Sequence, residues 1–192
     1  MSFGLTLSHV GVFVTDLPRM VDFYSGFLGF AESDRGETSN GGEIVFLTRD
    51  SREHHQLVLA TGRPADLPYN IVNQLSFRVD SLETLRELRD GLRNEHATEL
   101  GPVTHGNALS LYLHDPEKNR VELLIDTPWY VPQPCRVPVD FSLPDDQLWA
   151  RIERAVRDMP GFKPREAWAA EIEKRIAEAT ARRRRAVAPT PA

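Results

Sequence analysis

The residues most suited to binding a metal ion are His9 and Gln74, because they occupy equivalent places in a repeated strand. The stretch 7–17 (Leu-Ser-His-Val-Gly-Val-Phe-Val-Thr-Asp-Leu) recurs in altered form at 72–82 (Val-Asn-Gln-Leu-Ser-Phe-Arg-Val-Asp-Ser-Leu). The apolar residues of the two copies coincide, and His9 aligns with Gln74. A polar residue that can bind a metal ion, placed equivalently in a duplicated strand, suggests two similar halves around a shared site.

A second pair of polar residues follows when the repeat is extended, since Gln56 then aligns with Glu122. If the halves pack about an approximate twofold axis with their helices outside, all four side chains point into one cup. Imidazole and carboxylate are strong metal ligands, and the two amides are weaker ones. Glu122 lies in an apolar strand, where a buried carboxylate needs a cation or a hydrogen-bonding partner, and Arg120 on the same face could supply it.

The elements that must position these residues form a repeated βαβββ pattern. In the first half, alternation predicts a strand at 9–14, and a helix is predicted from Asp16 to about Gly29. Three further strands are predicted at 32–38, 43–48 and 55–60, separated by the turn segments 39–42 and 49–52. In the second half, strands are predicted at 74–79, 99–104, 109–114 and 120–126, with a helix at 82–94. We therefore predict an α+β fold with a first βαβββ module (1–61), a linker (62–71) and a second module (72–127), paired as a half-open β-barrel cup with the helices outside.

The chain changes character after residue 127. Four prolines between 128 and 138 predict a rigid segment that wraps over the domain surface rather than forming a sheet. Two helices are predicted to follow, one opened by Asp145 and one at 164–186. This C-terminal helical extension (128–192) either covers the cup or forms a dimer contact. The basic run 182–185 is interpreted as a solvated helix end that complements the dipole, in preference to a nucleic-acid site, and 187–192 as frayed.

Composition narrows the class of protein. A chain of 192 residues with 41% hydrophobic content can bury a core, and its net charge of −5 comes from interspersed signs, which argues against nucleic acid as a partner. The only cysteine, Cys135, excludes an internal disulfide and cysteine-based zinc sites, and is interpreted as a structural thiol. Residues 1–14 have neither a basic n-region nor a small-residue cleavage signal, and no uninterrupted apolar run reaches about 18 residues, so we expect a cytoplasmic protein with no membrane partner.

The second half carries the most specific motif. Residues 103–105 (Val-Thr-His) and 111–116 (Leu-Tyr-Leu-His-Asp-Pro), followed by Glu122, resemble the signature of extradiol ring-cleaving dioxygenases. The pair His54–His55 resembles the histidines that these enzymes carry ahead of the middle strand. From residue 5 to about residue 128, the chain is similar to the vicinal oxygen chelate superfamily, which includes glyoxalase I and bleomycin-resistance proteins besides these dioxygenases.

The resemblance implies a metal site. Where the family holds Fe(II) with a His, a second His and a Glu, His9 and Glu122 would be ligands here, and Gln74 stands at the second position. A neutral amide binds such a metal less well than imidazole, although glutamine is a ligand in some glyoxalase I relatives. The site would hold iron weakly, hold another divalent metal such as Mn, Zn or Ni, or hold none, with Gln74 instead hydrogen-bonded to strand neighbours.

The resemblance also implies catalytic residues. His55 would take and return a substrate proton, while His105 and Tyr112 would hydrogen-bond the oxygens held at the metal. The alternation of its strand turns Tyr112 into the cup. Strict alternation from Gln56 turns His54 inward and His55 outward, so His55 requires a bulge or a strand beginning there, and His54 remains the alternative.

We predict from these residues a metal-dependent extradiol-type dioxygenase that acts on a catechol-like aromatic. Its partners would be a small aromatic diol, dioxygen and a second copy of the chain in a homodimer. Two alternatives stay open: a non-oxidative lyase or isomerase of the glyoxalase kind, and a metal-free protein that binds a small molecule.

Overall fold

The computed structural model describes residues 6–67, 69–92 and 97–187. The first repeat consists of β1 (Val10–Val14), α1 (Leu17–Val21) with a π-helical continuation (Asp22–Phe27), β2 (Ala31–Glu37), β3 (Glu43–Thr48) and β4 (Leu57–Thr61). The second consists of β5 (Leu75–Arg78), α2 (Leu82–Gly91), β6 (Thr98–Thr104), β7 (Ala108–His114) and β8 (Arg120–Asp126). The predicted α+β fold with two βαβββ repeats is confirmed.

The extension adds further elements after the second repeat. They are β9 (Trp129–Tyr130), β10 (Val137–Pro138), α3 (Asp145–Val156), β11 (Lys163–Pro164) and α4 (Arg165–Val187). The basic run 182–185 lies within α4. The predicted end of the helix at 82–94 lies outside the described residues. The predicted frayed tail, 187–192, also lies outside them except for Val187, which is the last residue of α4.

Strand pairing within the described residues gives three sheets. The first has the order β1-β4-β3-β2, in which β1 runs parallel to β4 and the other pairs are antiparallel. The second has the order β10-β6-β7-β8-β5, and the third pairs β11 with β9. The parallel register begins where Val10 faces Leu57, so the residues just before β1 lie beside those just before β4.

The proline-rich segment corrects one prediction. We expected it to wrap over the surface without forming a sheet, but Val137 and Pro138 pair with Thr104 and Val103 as an edge strand. Proline lacks a backbone N–H, which is tolerated at a sheet edge because one side of an edge strand needs no partner strand.

The two faces of β1 differ as the alternation predicts. Val14 is fully buried, whereas Phe13 remains 63% exposed. Asp16 caps that helix by accepting a hydrogen bond from the Arg19 amide, and Pro18 stands in its first turn. The valines of β1 are thus more buried than Gly11 and Phe13 on its other face.

The described chain divides into two compact units. Unit 1 contains the segments up to 77, 83–100 and 112–122, and unit 2 contains 78–82, 101–111 and the residues from 123 onward. Unit 1 therefore holds β1–β4 and most of α2, and unit 2 holds the extension. None of the described helices combines the length and the apolar character required to cross a bilayer.

Candidate functional site

A buried carboxylate on β8 is the centre of the polar residues in unit 1. Glu122 is only 5% exposed. Its Oε1 accepts a hydrogen bond from the Tyr112 hydroxyl at 2.8 Å, and its Oε2 accepts from Ser76 Oγ at 2.7 Å and Gln74 Nε2 at 2.8 Å. Strands β7, β8 and β5 are neighbours in one sheet, and alternate residues of a strand point to the same face, so Tyr112, Glu122 and Ser76 meet on one face. These donors offset the cost of burying the charge.

Gln74 is oriented as a donor in this arrangement. Its Nε2 also lies 2.9 Å from Ser76 Oγ, so the amide nitrogen serves both neighbours. A metal ion beside Glu122 requires the opposite orientation, because only the amide oxygen has a lone pair to give. Half a turn about the last side-chain bond would present that oxygen.

The histidines His9, His54 and His55 of unit 1 form a cluster with Phe46. His9 and His55 have ring centroids 4.2 Å apart, and His54 Nδ1 lies 2.8 Å from His55 Nδ1. The Phe46 ring is 5.0 Å from that of His55 and 5.7 Å from that of His54. Desolvation, with the nearby His9 and His54, lowers the pKa of His55. His55 is therefore a neutral imidazole at neutral pH and can accept a proton.

His54 and His55 both lie ahead of the first residue of β4. The strand starts at Leu57, so the alternation that was extrapolated back from Gln56 does not extend to either histidine. His55 is half-buried against His9, whereas His54 is exposed, with Nε2 at 3.9 Å from Asp34 Oδ2.

Gln56, which the extended repeat aligns with Glu122, has a local hydrogen-bonding partner. Its Oε1 accepts a hydrogen bond from the Arg49 amide at 2.9 Å, which closes the connection between β3 and β4. A polar side chain at a strand end often satisfies a loop amide in this way.

His105 belongs to unit 2 and stands at the turn between β6 and β7. Its Nδ1 lies 2.6 Å from the carbonyl oxygen of Cys135. The Cys135 thiol is buried, lies 3.8 Å from Met159 Sδ, and has a pKa raised by desolvation, so it is an unreactive thiol. The backbone of this residue, which sequence reasoning did not consider, contacts the histidine.

The turn after β7 is structural. Asp115 is 2% exposed; its Oδ1 accepts from the backbone amides of Glu117 and Asn119, and its Oδ2 accepts from the Asn119 side chain and the Tyr24 hydroxyl. Desolvation raises the pKa of Asp115, and these hydrogen bonds oppose the rise. Lys118 adopts a positive φ of 65° in the turn.

Glu117 was not identified from the sequence, yet it joins distant parts of unit 1. Its Oε1 accepts hydrogen bonds from the amides of Thr15 at 2.6 Å and Asp16 at 2.7 Å. Its Oε2 lies 3.2 Å from Arg63 Nη1. The end of β1, the linker and the β7–β8 turn are thus held together. The partners are too far apart in sequence for any local signal to indicate the contact.

The side chains that could hold a divalent metal ion are few among the described residues. Across residues 6–67, 69–92 and 97–187, no group of three or more His, Cys, Asp and Glu side chains is arranged to hold an ion. A site with His9 and Glu122 therefore has to recruit Gln74, whose side chain already contacts Glu122. Imidazole, amide oxygen and carboxylate are together an acceptable, weakly binding set for a divalent ion.

The fold and these residues define a class of protein. A sequence profile of the Glyoxalase/Bleomycin resistance protein/Dioxygenase superfamily matches residues 6–123, and the chain belongs to this superfamily. Biphenyl-2,3-diol 1,2-dioxygenase 2 of Rhodococcus globerulus is 28% identical over 143 residues, which cover 72% of this chain and 65% of that protein. Biphenyl-2,3-diol 1,2-dioxygenase 3 of the same organism is 32% identical over 127 residues, covering 62% and 63%.

A solved structure agrees at the level of the fold. It is a fosfomycin resistance protein from Listeria monocytogenes, crystallised with Mn(II) and 1S,2S-dihydroxypropylphosphonic acid. The TM-score is 0.53 at 19% identity, and the match covers 66% of this chain and 95% of that one. The present chain spans just under two thirds of the length of both dioxygenases.

Proposed function

We propose that the protein is a metal-dependent extradiol-type dioxygenase that cleaves a catechol-like aromatic beside its hydroxyl groups. The observation that carries this proposal is the buried Glu122, held by Tyr112 and Ser76 and in contact with Gln74. The two biphenyl-2,3-diol dioxygenase relatives support an aromatic diol and dioxygen as the substrates.

The metal would be held by His9, Gln74 and Glu122. Fe(II), when bound, would supply the redox chemistry that lets dioxygen react with an aromatic diol; Mn, Zn or Ni are the alternatives. Tyr112 and Ser76 would keep the carboxylate in one orientation, as hydrogen-bonding neighbours of metal ligands generally do.

The other side chains would handle protons and substrate oxygens. His55 would take a proton from the diol, since its imidazole is neutral at neutral pH and lies against His9. Tyr112, which donates its only hydroxyl hydrogen to Glu122, would accept a hydrogen bond from a substrate hydroxyl, and His105 would hydrogen-bond another substrate oxygen. Phe46, in contact with the His55 ring, would offer an apolar surface to the aromatic ring of the substrate.

A specific observation favours a second candidate. Glu122 already accepts hydrogen bonds from neutral side chains on both carboxylate oxygens, so the fold satisfies this charge without an ion. The second candidate is therefore a protein that binds a small aromatic molecule without metal, or one that performs a non-oxidative reaction of the glyoxalase kind.

The deciding experiment is anaerobic purification followed by metal analysis, oxygen uptake and detection of the yellow ring-fission product with a panel of catechols. The proposal expects turnover that depends on Fe(II) and oxygen. Turnover without oxygen supports the non-oxidative candidate. Catechol binding with no metal requirement and no turnover supports the binding protein.

A Gln74→His variant sharpens the comparison, because it replaces a weak ligand with a strong one. We expect iron affinity to rise at least about tenfold, together with turnover. The control is Gln147→His, the same change at an exposed position of α3. An equal rise in iron content in both variants would contradict the assignment of Gln74 to the metal site.

The assembly and the organisation of the chain complete the proposal. The modules would be 1–61 and 72–127 with the linker 62–71 and the extension 128–192, and the protein would act as a cytoplasmic homodimer. Analytical ultracentrifugation at micromolar concentration tests the dimer, and a monomer would refute it.

A further inference from the structure

The β6–β7 turn that carries His105 is surrounded by residues that follow the superfamily domain. We call these residues the clasp and define it as Thr127, Val131, Gln133, Cys135 and Arg165. The clasp lies beyond residue 123, where the match to the superfamily ends. Turn and clasp both belong to unit 2.

The clasp holds the backbone of the turn. The Gly106 carbonyl accepts a hydrogen bond from the Thr127 hydroxyl. The Asn107 carbonyl accepts from the Thr127 amide at 3.0 Å and from Arg165 Nη1 at 3.1 Å, and Asn107 Oδ1 accepts from the Val131 amide at 2.9 Å. Gly106 has a φ of 74°, and a Cβ there would collide with the Val131 side chain. The turn therefore has little freedom to move.

The clasp also holds His105 itself. Gln133 Nε2 donates to the His105 carbonyl at 2.7 Å, and Gln133 Oε1 accepts from the Cys135 amide at 3.1 Å. The Cys135 carbonyl oxygen then lies 2.6 Å from His105 Nδ1. A carbonyl oxygen can only accept, so the hydrogen of this bond must reside on Nδ1.

We propose that the clasp positions His105 as the Nδ1–H tautomer, with the lone pair of the neutral ring on Nε2. The consequence for chemistry rests on the proposed function. A neutral His105 accepts a hydrogen bond or a proton at Nε2, and donates there only when both ring nitrogens carry hydrogen. The clasp thus selects the direction of hydrogen bonding between His105 and a substrate hydroxyl.

The tautomer is measured directly on the full chain labelled with [15N]histidine, metal-free and reconstituted with Zn(II). Two-bond 1H–15N spectra, with the His105 signals assigned by their loss in His105→Ala, should show a protonated Nδ1 and an unprotonated Nε2. Gln133→Ala should shift His105 to a mixture of tautomers, and Gln147→Ala should leave it unchanged. An Nε2–H form in the wild type, or an unchanged tautomer in Gln133→Ala, overturns the proposal.

Kinetics supply a second readout. Gln133→Ala should lower kcat for a catechol about tenfold while KM changes little, because the histidine is misplaced and the metal ligands are untouched. In a His105→Ala background, Gln133→Ala should not lower kcat further, since Gln133 acts through the His105 imidazole. An equal loss in both backgrounds would show that Gln133 acts on stability alone. A wild type without catechol turnover would refute the proposed function and leave the tautomer result intact.

Discussion

Replacing Glu117 should destabilise unit 1 far more than its place in an exposed-looking turn sequence suggests. The turn 115–119 contains four polar residues and a proline, and nothing in it marks Glu117 as special. In the structure, its carboxylate accepts from the amides of Thr15 and Asp16 at 2.6 and 2.7 Å and lies 3.2 Å from Arg63 Nη1. The side chains of Glu117 and Arg63 are only 9% and 18% exposed.

The magnitude follows from these contacts. Hydrogen bonds to a charged group contribute about 1.5–3 kcal/mol each, and they are not additive on one carboxylate. Removing one partner of a buried pair also leaves Arg63 and two amides poorly solvated. We therefore expect Glu117→Ala to lower the free energy of unfolding by about 3–5 kcal/mol. Glu117→Gln keeps one accepting oxygen without the charge, so about 2 kcal/mol is expected.

Urea unfolding at 25 °C, followed by circular dichroism, measures both variants. The matched control is Glu173→Ala on the exposed face of α4, where a change within about 0.5 kcal/mol is expected. The effect of Glu117→Ala should also persist in 0.5 M salt, because buried pairs are screened weakly. A Glu117→Ala variant as stable as Glu173→Ala would refute the reasoning.

Two further predictions concern Asp115 and Tyr112. Desolvation raises the pKa of Asp115 in the folded protein above its usual 3.8, so the folded state binds the proton more tightly than the unfolded state does. The stability that Asp115 contributes therefore falls as the pH rises from about 4 to the pKa of the folded state. The difference in unfolding free energy between wild type and Asp115→Asn should shrink over that range, and a constant or growing difference would contradict the shift. Tyr112→Phe removes the donor to Glu122 Oε1 and should weaken metal binding about 10- to 100-fold, measured by competition with a chelator, whereas Tyr130→Phe should change it little.

The repeat was readable in the sequence because each βαβββ copy carries its own periodicity. Alternating apolar residues and the turn residues between strands predicted the strands of both halves within a few residues, and the helical stripes predicted α1 to α4. The motif around Tyr112 and Glu122 indicated the superfamily that the profile match confirms. Local patterns were sufficient here, since hydrophobic burial acts along each element separately.

Side-chain partners were decided only by the tertiary structure. Gln74 could be assigned as a ligand or as a hydrogen-bonding amide, and only the adjacency of β5 and β8 brings its nitrogen to Glu122. Alternation extrapolated from Gln56 could not decide between His54 and His55, because β4 begins only at Leu57.

The amino-acid order thus determined the elements, their repetition and the residue types available for chemistry, because these depend on neighbours a few positions apart. The folded chain alone decided which amide meets which carboxylate, how Glu117 joins the linker to β1, and that a backbone carbonyl at Cys135 holds His105. Such contacts depend on atoms brought together from distant parts of the chain, where a side chain of the same type could have found many other partners.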